Sequence, residues 1–416
     1  MDNKFSDDIN WFQKHIDSRR RMLPLFTSLA GKMASRVQTD LFEFVNQHGR
    51  DIERDEDGDP TRFKVPVEFS SQYKKIRGMH NDSSVFFVLL PRMTFISLVS
   101  IYDAYLSRLL KLVFELKPEI LNGSERQFSF KDINSYESFD EMKEAIIDSE
   151  IESFLRKSHA EQFKWLENKL GSSGKKISLK SGLDKWGDFI ELTERRNLLV
   201  HNDGIINKHY IKLCTEHGLK PNKNVGEQLD IDSDYYQDAC NCIFEIGVKL
   251  GHVLWRKLMP TKESCTKADD NLVELIFNLL VSKDYDLAIR ICGLAEFQSF
   301  KIATQQSLFF IKINHAIAHK GLEQQDKCTE ILDQIDFTPL SDIFKIANFV
   351  LREQNEEAAQ LMRKLAKSED FQENFYKNWP LFQWFIKTDE FNETYEEIYG
   401  EQFTIKGDTS EPDSTS

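Results

Sequence analysis

The sequence lacks the marks of several protein classes. The N-terminus opens Met1-Asp2-Asn3-Lys4, with no apolar segment before a cleavage site, so no secretory signal is expected. No apolar run is both long and free of charge. The most apolar region, Val85 to Phe114, is interrupted by Arg92, Asp103, Arg108 and Lys111, which predicts a buried helix and no membrane span. The six cysteines (Cys214, Cys240, Cys242, Cys265, Cys292, Cys328) show no paired C-x-x-C spacing, which removes the common zinc frameworks and leaves them as expected reduced thiols of a cytoplasmic protein. G-x-G-x-x-G, a glycine-rich loop ending in Gly-Lys-Ser/Thr, G-x-S-x-G and H-E-x-x-H are all missing, excluding the usual nucleotide loops, the hydrolase elbow and the zinc-protease helix.

What is present is an ordinary mixture: 416 residues, 40% hydrophobic and 29% charged, enough for two or three domains. The net charge of −14 is unevenly placed. Residues 261–416 hold 16 Lys and Arg against 28 Asp and Glu, a balance of −12, leaving −2 for everything before. The C-terminal third is therefore a poor partner for a phosphate backbone, whereas the near-neutral remainder is not excluded from one.

Apolar residues spaced three and four apart predict helices through most of the chain, an all-α fold. Residues 1–83 read as N-terminal helices, interrupted at Pro24, followed by an acidic turn-rich loop at Arg50–Pro60. Asp55, Asp57, Gly58 and Asp59 hint at a calcium loop, but the twelfth position of that template falls on Lys64, so no metal is expected. Lys74, Lys75 and Arg77 lie in a weakly periodic stretch, readable as a basic loop touching phosphates or as a solvated face.

Residues 84–260 read as an antiparallel four-helix bundle: Ser84–Lys117, Tyr136–Leu170 ending at Gly171-Ser-Ser-Gly174, a third helix from Leu183, and Asp234–Leu258 closed by Pro260. Asp230, Asp232 and Asp234 suit the capping of that last helix. His209 and His217 have no matched cysteine or carboxylate spacing and read as surface histidines. Beyond, residues 268–400 show paired helical segments, the last being Trp379–Ile386 with Phe391–Tyr399. Ala288, Cys328, Ala359 and Thr394 recur in the second helix of each pair at separations of 40, 31 and 35 residues. That scatter surrounds the period of tetratricopeptide-type repeats. Residues 401–416 read as a disordered tail.

One stretch carries chemistry: Glu194-Arg-Arg-Asn-Leu-Leu-Val-His-Asn-Asp-Gly204. On a helical wheel from Trp186, the residues Phe189, Ile190, Thr193, Arg196, Asn197, Val200 and His201 fall within about 140°. An apolar stripe thus turns polar toward its end without changing face. Asn202-Asp203-Gly204 is a good helix stop, which puts His201 in the last turn, a position suited to an acid–base imidazole.

Arg196-Asn-Leu-Leu-Val-His201 resembles the catalytic motif of the HEPN-superfamily ribonucleases: an arginine, a polar residue, then a histidine a few positions on. The resemblance covers roughly residues 84–258. It implies a helical bundle with the motif at a helix end, and metal-independent, cofactor-free RNA cleavage leaving a 2′,3′-cyclic phosphate. His201 would handle the proton, Arg196 would neutralise the phosphorane-like transition state, and Asn197 would orient one or the other. It further implies a homodimer in which two motifs share one cleft, and a role as a prokaryotic toxin or antiviral effector. Arg195 would add phosphate attraction. The residues themselves leave a second reading open: a polar helix-end cluster in a non-catalytic dimeric adaptor that binds a protein partner through its repeats.

Overall fold

The computed structural model describes residues 1–123, 136–171, 178–297, 300–366 and 374–404. Among the described residues the chain is all-α apart from one two-stranded ribbon. It divides into two compact units, residues 3–254 and 255–416. The expected split at 83/84 falls inside a helix, and residues 405–416 of the expected tail, with Ser172–Gly174 of the expected helix stop, lie outside the described residues.

Two 47-residue helices frame the first unit, α1 (Asp2–His48) and α2 (Ser70–Leu116). They run antiparallel. Lys4 pairs with Glu115 at 2.8 Å, Phe12 stacks on Tyr105 at 4.3 Å, Arg19 donates to Ser97 at 3.2 Å, and Phe44 stacks on Tyr73. At 1.5 Å per residue each helix is about 70 Å long. The expected break at Pro24 does not occur: α1 passes through it, as α2 passes through Pro91. A proline removes one intrahelical hydrogen bond at a cost of about 3 kcal/mol, here offset by packing of α1 on either side of it, Phe12 on Tyr105 and Phe44 on Tyr73.

Between the two helices the expected acidic loop is a ribbon of β1 (Arg50–Arg54) and β2 (Pro60–Lys64), paired Arg50 with Lys64 and Arg54 with Pro60. Asp55 closes its turn by accepting from the Asp57 and Asp59 backbone N–H groups. The expected basic loop is also corrected, because Lys74, Lys75 and Arg77 are exposed on the first turns of α2.

Four further helices complete this unit's core: α3 (Phe139–Leu155), α4 (His159–Leu170), α5 (Trp186–His201) and α7 (Ser233–Leu258), with a short α6 (Lys208–Glu216) between the last two. Asp232 caps α7 by accepting from the Tyr235 N–H at 2.7 Å. α1 contributes to this core: Phe5, Ile9, Phe12 and Ile16 are fully buried. Close approach depends on Gly247 and Gly251 of α7, one turn apart. A Cβ on Gly247 would sit 2.3 Å from the Phe12 ring, and one on Gly251 would sit 2.1 Å from the Tyr105 hydroxyl. Gly247→Ala is therefore expected to overpack this contact and destabilise the unit by about 1–3 kcal/mol, measurable as a lowered thermal midpoint.

The buried stretch expected from Val85 onward is found only beyond Phe95. Residues Val85–Leu89 and Met93 of α2 are exposed. By length and composition α2 now meets the test for a membrane-crossing helix that the interrupted sequence run did not, through an 18-residue window of mean hydropathy 1.9.

The second unit is an array of helix pairs: α8 (Lys262–Val281) with α9 (Tyr285–Cys292), α10 (Gln305–Gly321) with α11 (Gln325–Asp333), and α12 (Asp342–Leu351) with α13 (Asn355–Leu365). Each pair turns through a non-glycine residue in the left-handed conformation, Lys283, Glu323 and Glu353, with φ of 59°, 60° and 61°. The following N–H reaches back five residues each time, to Leu279, His319 and Phe349. The small residues Ala288, Cys328, Ala359 and Thr394 are all buried. The last pair departs from expectation. Trp379–Ile386 forms two 3-10 turns, Pro380–Gln383 and Phe385–Lys387, after the short α14 (Asn374–Asn378) and before α15 (Asp389–Tyr399). Trp379, Phe382 and Phe385 are held there by edge-on aromatic contacts.

Candidate active site at the end of α5

α5 is anchored by Phe189, Ile190, Leu192, Thr193 and Leu198, all buried. The face carrying Phe189 and Ile190 emerges toward solvent as it proceeds: Arg196 and Asn197 are half-buried, and Val200 and His201 are exposed. The helix ends as its sequence predicts. Asp203 and Gly204 take left-handed φ values of 48° and 76°, and the Gly204 N–H donates to Leu198 O at 2.9 Å. A Cβ at Gly204 would press on Leu199 at 3.0 Å, so the position suits glycine on both counts. Arg92 of α2 holds this turn from the side, 3.1 Å from Asp203.

Arg196 sits in a polar cluster built by three helices. Its Nη2 lies 3.5 Å from Asp103 Oδ2 on α2, its Nη1 donates to Asn197 Oδ1 at 3.1 Å, and its Nε is buried without a partner. Asn197 donates in turn to Glu194 at 3.1 Å. The other carboxylate oxygen of Asp103 lies 3.1 Å from His159 Nε2. His159 is the first residue of α4, placed by a capping box between Ser158 and Glu161, and its ring packs edge-on against Phe189. Asp103 therefore bridges an imidazole and a guanidinium. Neither Asp103 nor His159 was singled out from the sequence as a site residue. The sequence signal for His159 is its place inside the Ser158-x-x-Glu161 capping pattern, and for Asp103 only that it is a charge interrupting an apolar run.

The structure brings Arg196 and Asn197 into direct contact. His201 stands five residues on, about 7.5 Å further along the axis and exposed. Arg195 belongs elsewhere. It donates from Nε to Glu191 at 2.8 Å, from Nη1 to Asp230 O at 3.2 Å and from Nη2 to Tyr210 Oη at 3.3 Å, with Tyr235's ring 3.7 Å away. Glu191, itself buried, also accepts from the hydroxyls of Tyr210 and Tyr235. Burial, then the Glu191 charge, push both phenols upward, so they stay protonated and donate. The same two causes push the adjacent Cys214 thiol up to about 11, which keeps it an unreactive thiol. Burial alone would lower the Arg195 pKa, but Tyr235, Glu191 and Tyr210 outweigh it and the net shift is upward. The guanidinium expected to attract phosphate is thus engaged on all three nitrogens in holding α5, α6 and α7 together.

Lys74, Lys75 and Arg77 are distant from this cluster within one chain. Arg77 and Asp103 are 26 residues apart on the same continuous helix, about 39 Å.

The array of the second unit contains a cavity of about 750 Å³, lined among others by Asp270, Glu274, Phe277, Phe310, Asn314 and Trp379. Asn314 Oδ1 is buried without a hydrogen-bond partner. Burial, then Asp269, raise the Asp270 carboxyl above its ordinary range. Among the described residues, no group of three or more His, Cys, Asp or Glu is placed to hold a metal ion. Comparison with family models, curated proteins and solved structures returns no match.

Proposed function

We propose that this chain is a metal-independent RNA endonuclease of the HEPN type, working from the exposed end of α5. The observation that carries the reading is the placement of Arg196 and His201. A guanidinium braced by Asp103 and Asn197 stands about a turn and a half below an exposed imidazole, the two groups at opposite borders of the emerging face. In-line RNA cleavage needs those two groups. The imidazole takes the proton from a ribose 2′-hydroxyl, and that oxygen attacks the adjacent phosphorus. The P–O5′ bond breaks, the 5′-oxygen leaves with a proton, and a 2′,3′-cyclic phosphate remains. The guanidinium offsets the negative charge that builds on the non-bridging oxygens. Asn197, held by Glu194, fixes the direction of Arg196. We place this activity in a cytoplasmic homodimer that serves as a prokaryotic toxin or antiviral effector, with the C-terminal array as its regulator.

The test uses the full chain and end-labelled RNA in excess chelator. Cleavage is expected to persist, to leave cyclic-phosphate ends, and to fall about 10²–10³-fold in Arg196→Ala. Cleavage that chelator abolishes and that ignores Arg196 would reject the proposal.

A second reading rests on the cavity of the second unit. An unpaired acceptor on Asn314, the Asp270 carboxylate and aromatic walls suit a cationic side chain of a protein partner, as an adaptor would require. A chain that cuts no RNA, yet captures a partner in a manner lost on Asp270→Asn, would favour it.

A further inference from the structure

The cavity of the second unit owes its shape to the one place where the array departs from its own pattern. The 3-10 turn Pro380–Gln383 touches α8, α10 and α12, the first helix of each regular pair, and Trp379 just before it lines the cavity. The Tyr285 hydroxyl of α9 donates to Gln383 at 3.2 Å and ties this turn down across the array. Open helix pairs alone would leave a groove along which an extended chain could run. The crossing turn interrupts that groove and leaves a space of about 750 Å³, inside the roughly 300–1,000 Å³ of small-molecule pockets.

The walls are held in place from behind. Phe310 of α10 rests on Phe344 at 4.8 Å, and Trp379 rests on Phe382 at 5.7 Å. With Phe277 of α8 they give the cavity an apolar, aromatic middle.

Its two ends are polar in different ways. Asp270 and Glu274 stand one turn apart on α8, both exposed, and the described lining residues include no lysine, arginine or histidine. Neither carboxylate has an ion-pair partner among the described residues. This mouth therefore repels an anion and attracts a cation, which the aromatic faces favour further. At the other end Asn314 is only 2% exposed, and its Oδ1 has no hydrogen-bond partner. A buried polar group left unpaired costs the folded chain its desolvation, so native structures rarely keep one without a reason. A bound molecule would supply the missing partner.

The distance between the ends follows from the helices. Asp269 accepts from the Ala303 and Thr304 N–H groups at 2.6 and 3.3 Å, which sets that point of α8 level with the start of α10. α9 returns between them, so α8 and α10 run in the same direction. Glu274 lies five residues beyond Asp269, and Asn314 lies ten beyond Thr304. The acidic mouth and the buried amide are thus about 7–8 Å apart along the helices. A molecule of one or two rings spans that.

We propose that this cavity binds a small organic cation, an amine whose ammonium sits at Asp270 and Glu274, whose apolar ring lies against Phe277, Phe310 and Trp379, and whose far end pairs with the Asn314 amide. A lysine side chain of a protein partner has the same charge. The crossing turn and the short span decide for the free molecule. The assignment does not depend on the ribonuclease reading.

The experiment is calorimetric titration of the full chain with tryptamine, which carries an ammonium, a fused ring and a ring N–H at its far end. One tryptamine is expected to bind per chain. Indole-3-propionate, the same ring with the opposite charge, should bind at least tenfold more weakly. Asp270→Asn combined with Glu274→Gln should weaken tryptamine at least tenfold. Asn314→Leu keeps the side-chain volume but removes the unpaired amide. It should hold or raise the thermal midpoint of the free chain while abolishing the preference for tryptamine over naphthylethylamine, which has no ring N–H. A capped octapeptide with a central lysine represents the other source and should bind at least tenfold more weakly than tryptamine. Failure of both amines to bind at millimolar concentration, equal binding of the indole acid, indifference to the carboxylate substitutions, or tighter binding of the peptide would each overturn the proposal. RNA cleavage plays no part in the readout, so a chain that binds the amine and cuts nothing would remove the ribonuclease reading alone.

Discussion

His201→Ala is expected to lower RNA cleavage by about 10²–10⁴-fold, the range for loss of a positioned general acid–base, and to leave folding untouched. Both parts follow from one observation: the side chain is exposed in the last turn of α5, and the turn that stops the helix is held by backbone and Arg92–Asp203 contacts instead. His159 provides the contrast. Its ring is packed on Phe189 and faces Asp103, so His159→Ala should loosen the brace behind Arg196, lowering the thermal midpoint together with a smaller loss of rate. Single-turnover cleavage and thermal melts of the two variants separate the roles. If His159→Ala lost activity with no change in melting while His201→Ala cut normally, the proton-transferring group would be His159 and the reading of α5's end would fail.

The largest effect on stability is expected at Glu191, which the catalytic reading does not use. Its carboxylate accepts from Arg195 and from two tyrosine hydroxyls, and both it and the Arg195 side chain are nearly closed to solvent. Glu191→Ala would leave a largely buried guanidinium without its counter-charge and two phenols without their acceptor. Removing one partner of a buried pair costs about 3–5 kcal/mol, equivalent to a fall on the order of 10 °C in midpoint for a unit of this size. The chain has two units, so urea unfolding should be followed by a probe of the first, and only that transition should move. Arg195→Ala in the same chain should cost much less than the sum of the two single changes, because the charge stranded by each is absent from the double variant. Additive losses would mean that Glu191 and Arg195 act independently, contrary to the geometry.

These contacts mark the boundary of what sequence alone discloses. The extents of α5 and α7 were legible because a stripe recurring every three or four residues fixes a buried face, and Gly204 and Pro260 punctuate their ends. The hairpin array was legible for the same reason, although its left-handed turns at Lys283, Glu323 and Glu353 were not, since no glycine announces them. The pairing of Arg196 with Asp103 spans 93 positions and leaves no local trace. Val85–Leu89 misled for a physical reason: apolarity records that a surface is to be covered, not whether the cover comes from the same molecule. Pro24 misled because a local helix penalty was weighed without the long partner helix that offsets it. Gly247 and Gly251 were overlooked although their four-residue spacing on one helix face was a readable sign of close approach.

The two long helices have a further consequence in the language of local stability. Each is one unbroken rod, yet its root is immersed in side chains, while its far half rests on one neighbouring helix and, at the tip, on a small cluster of Phe44, Val45, Phe69 and Tyr73. A two-helix element of that kind is marginal alone, because helical order in water is sustained mainly by burial of a face. Free energy of opening should therefore fall steadily along the same helix, from the full unfolding value near Tyr105 to a small fraction of it near Gly78, as amide hydrogen exchange resolves residue by residue. Whatever covers that far half would raise the tip and leave the root unchanged, so the slope of that gradient is itself a gauge of occupancy.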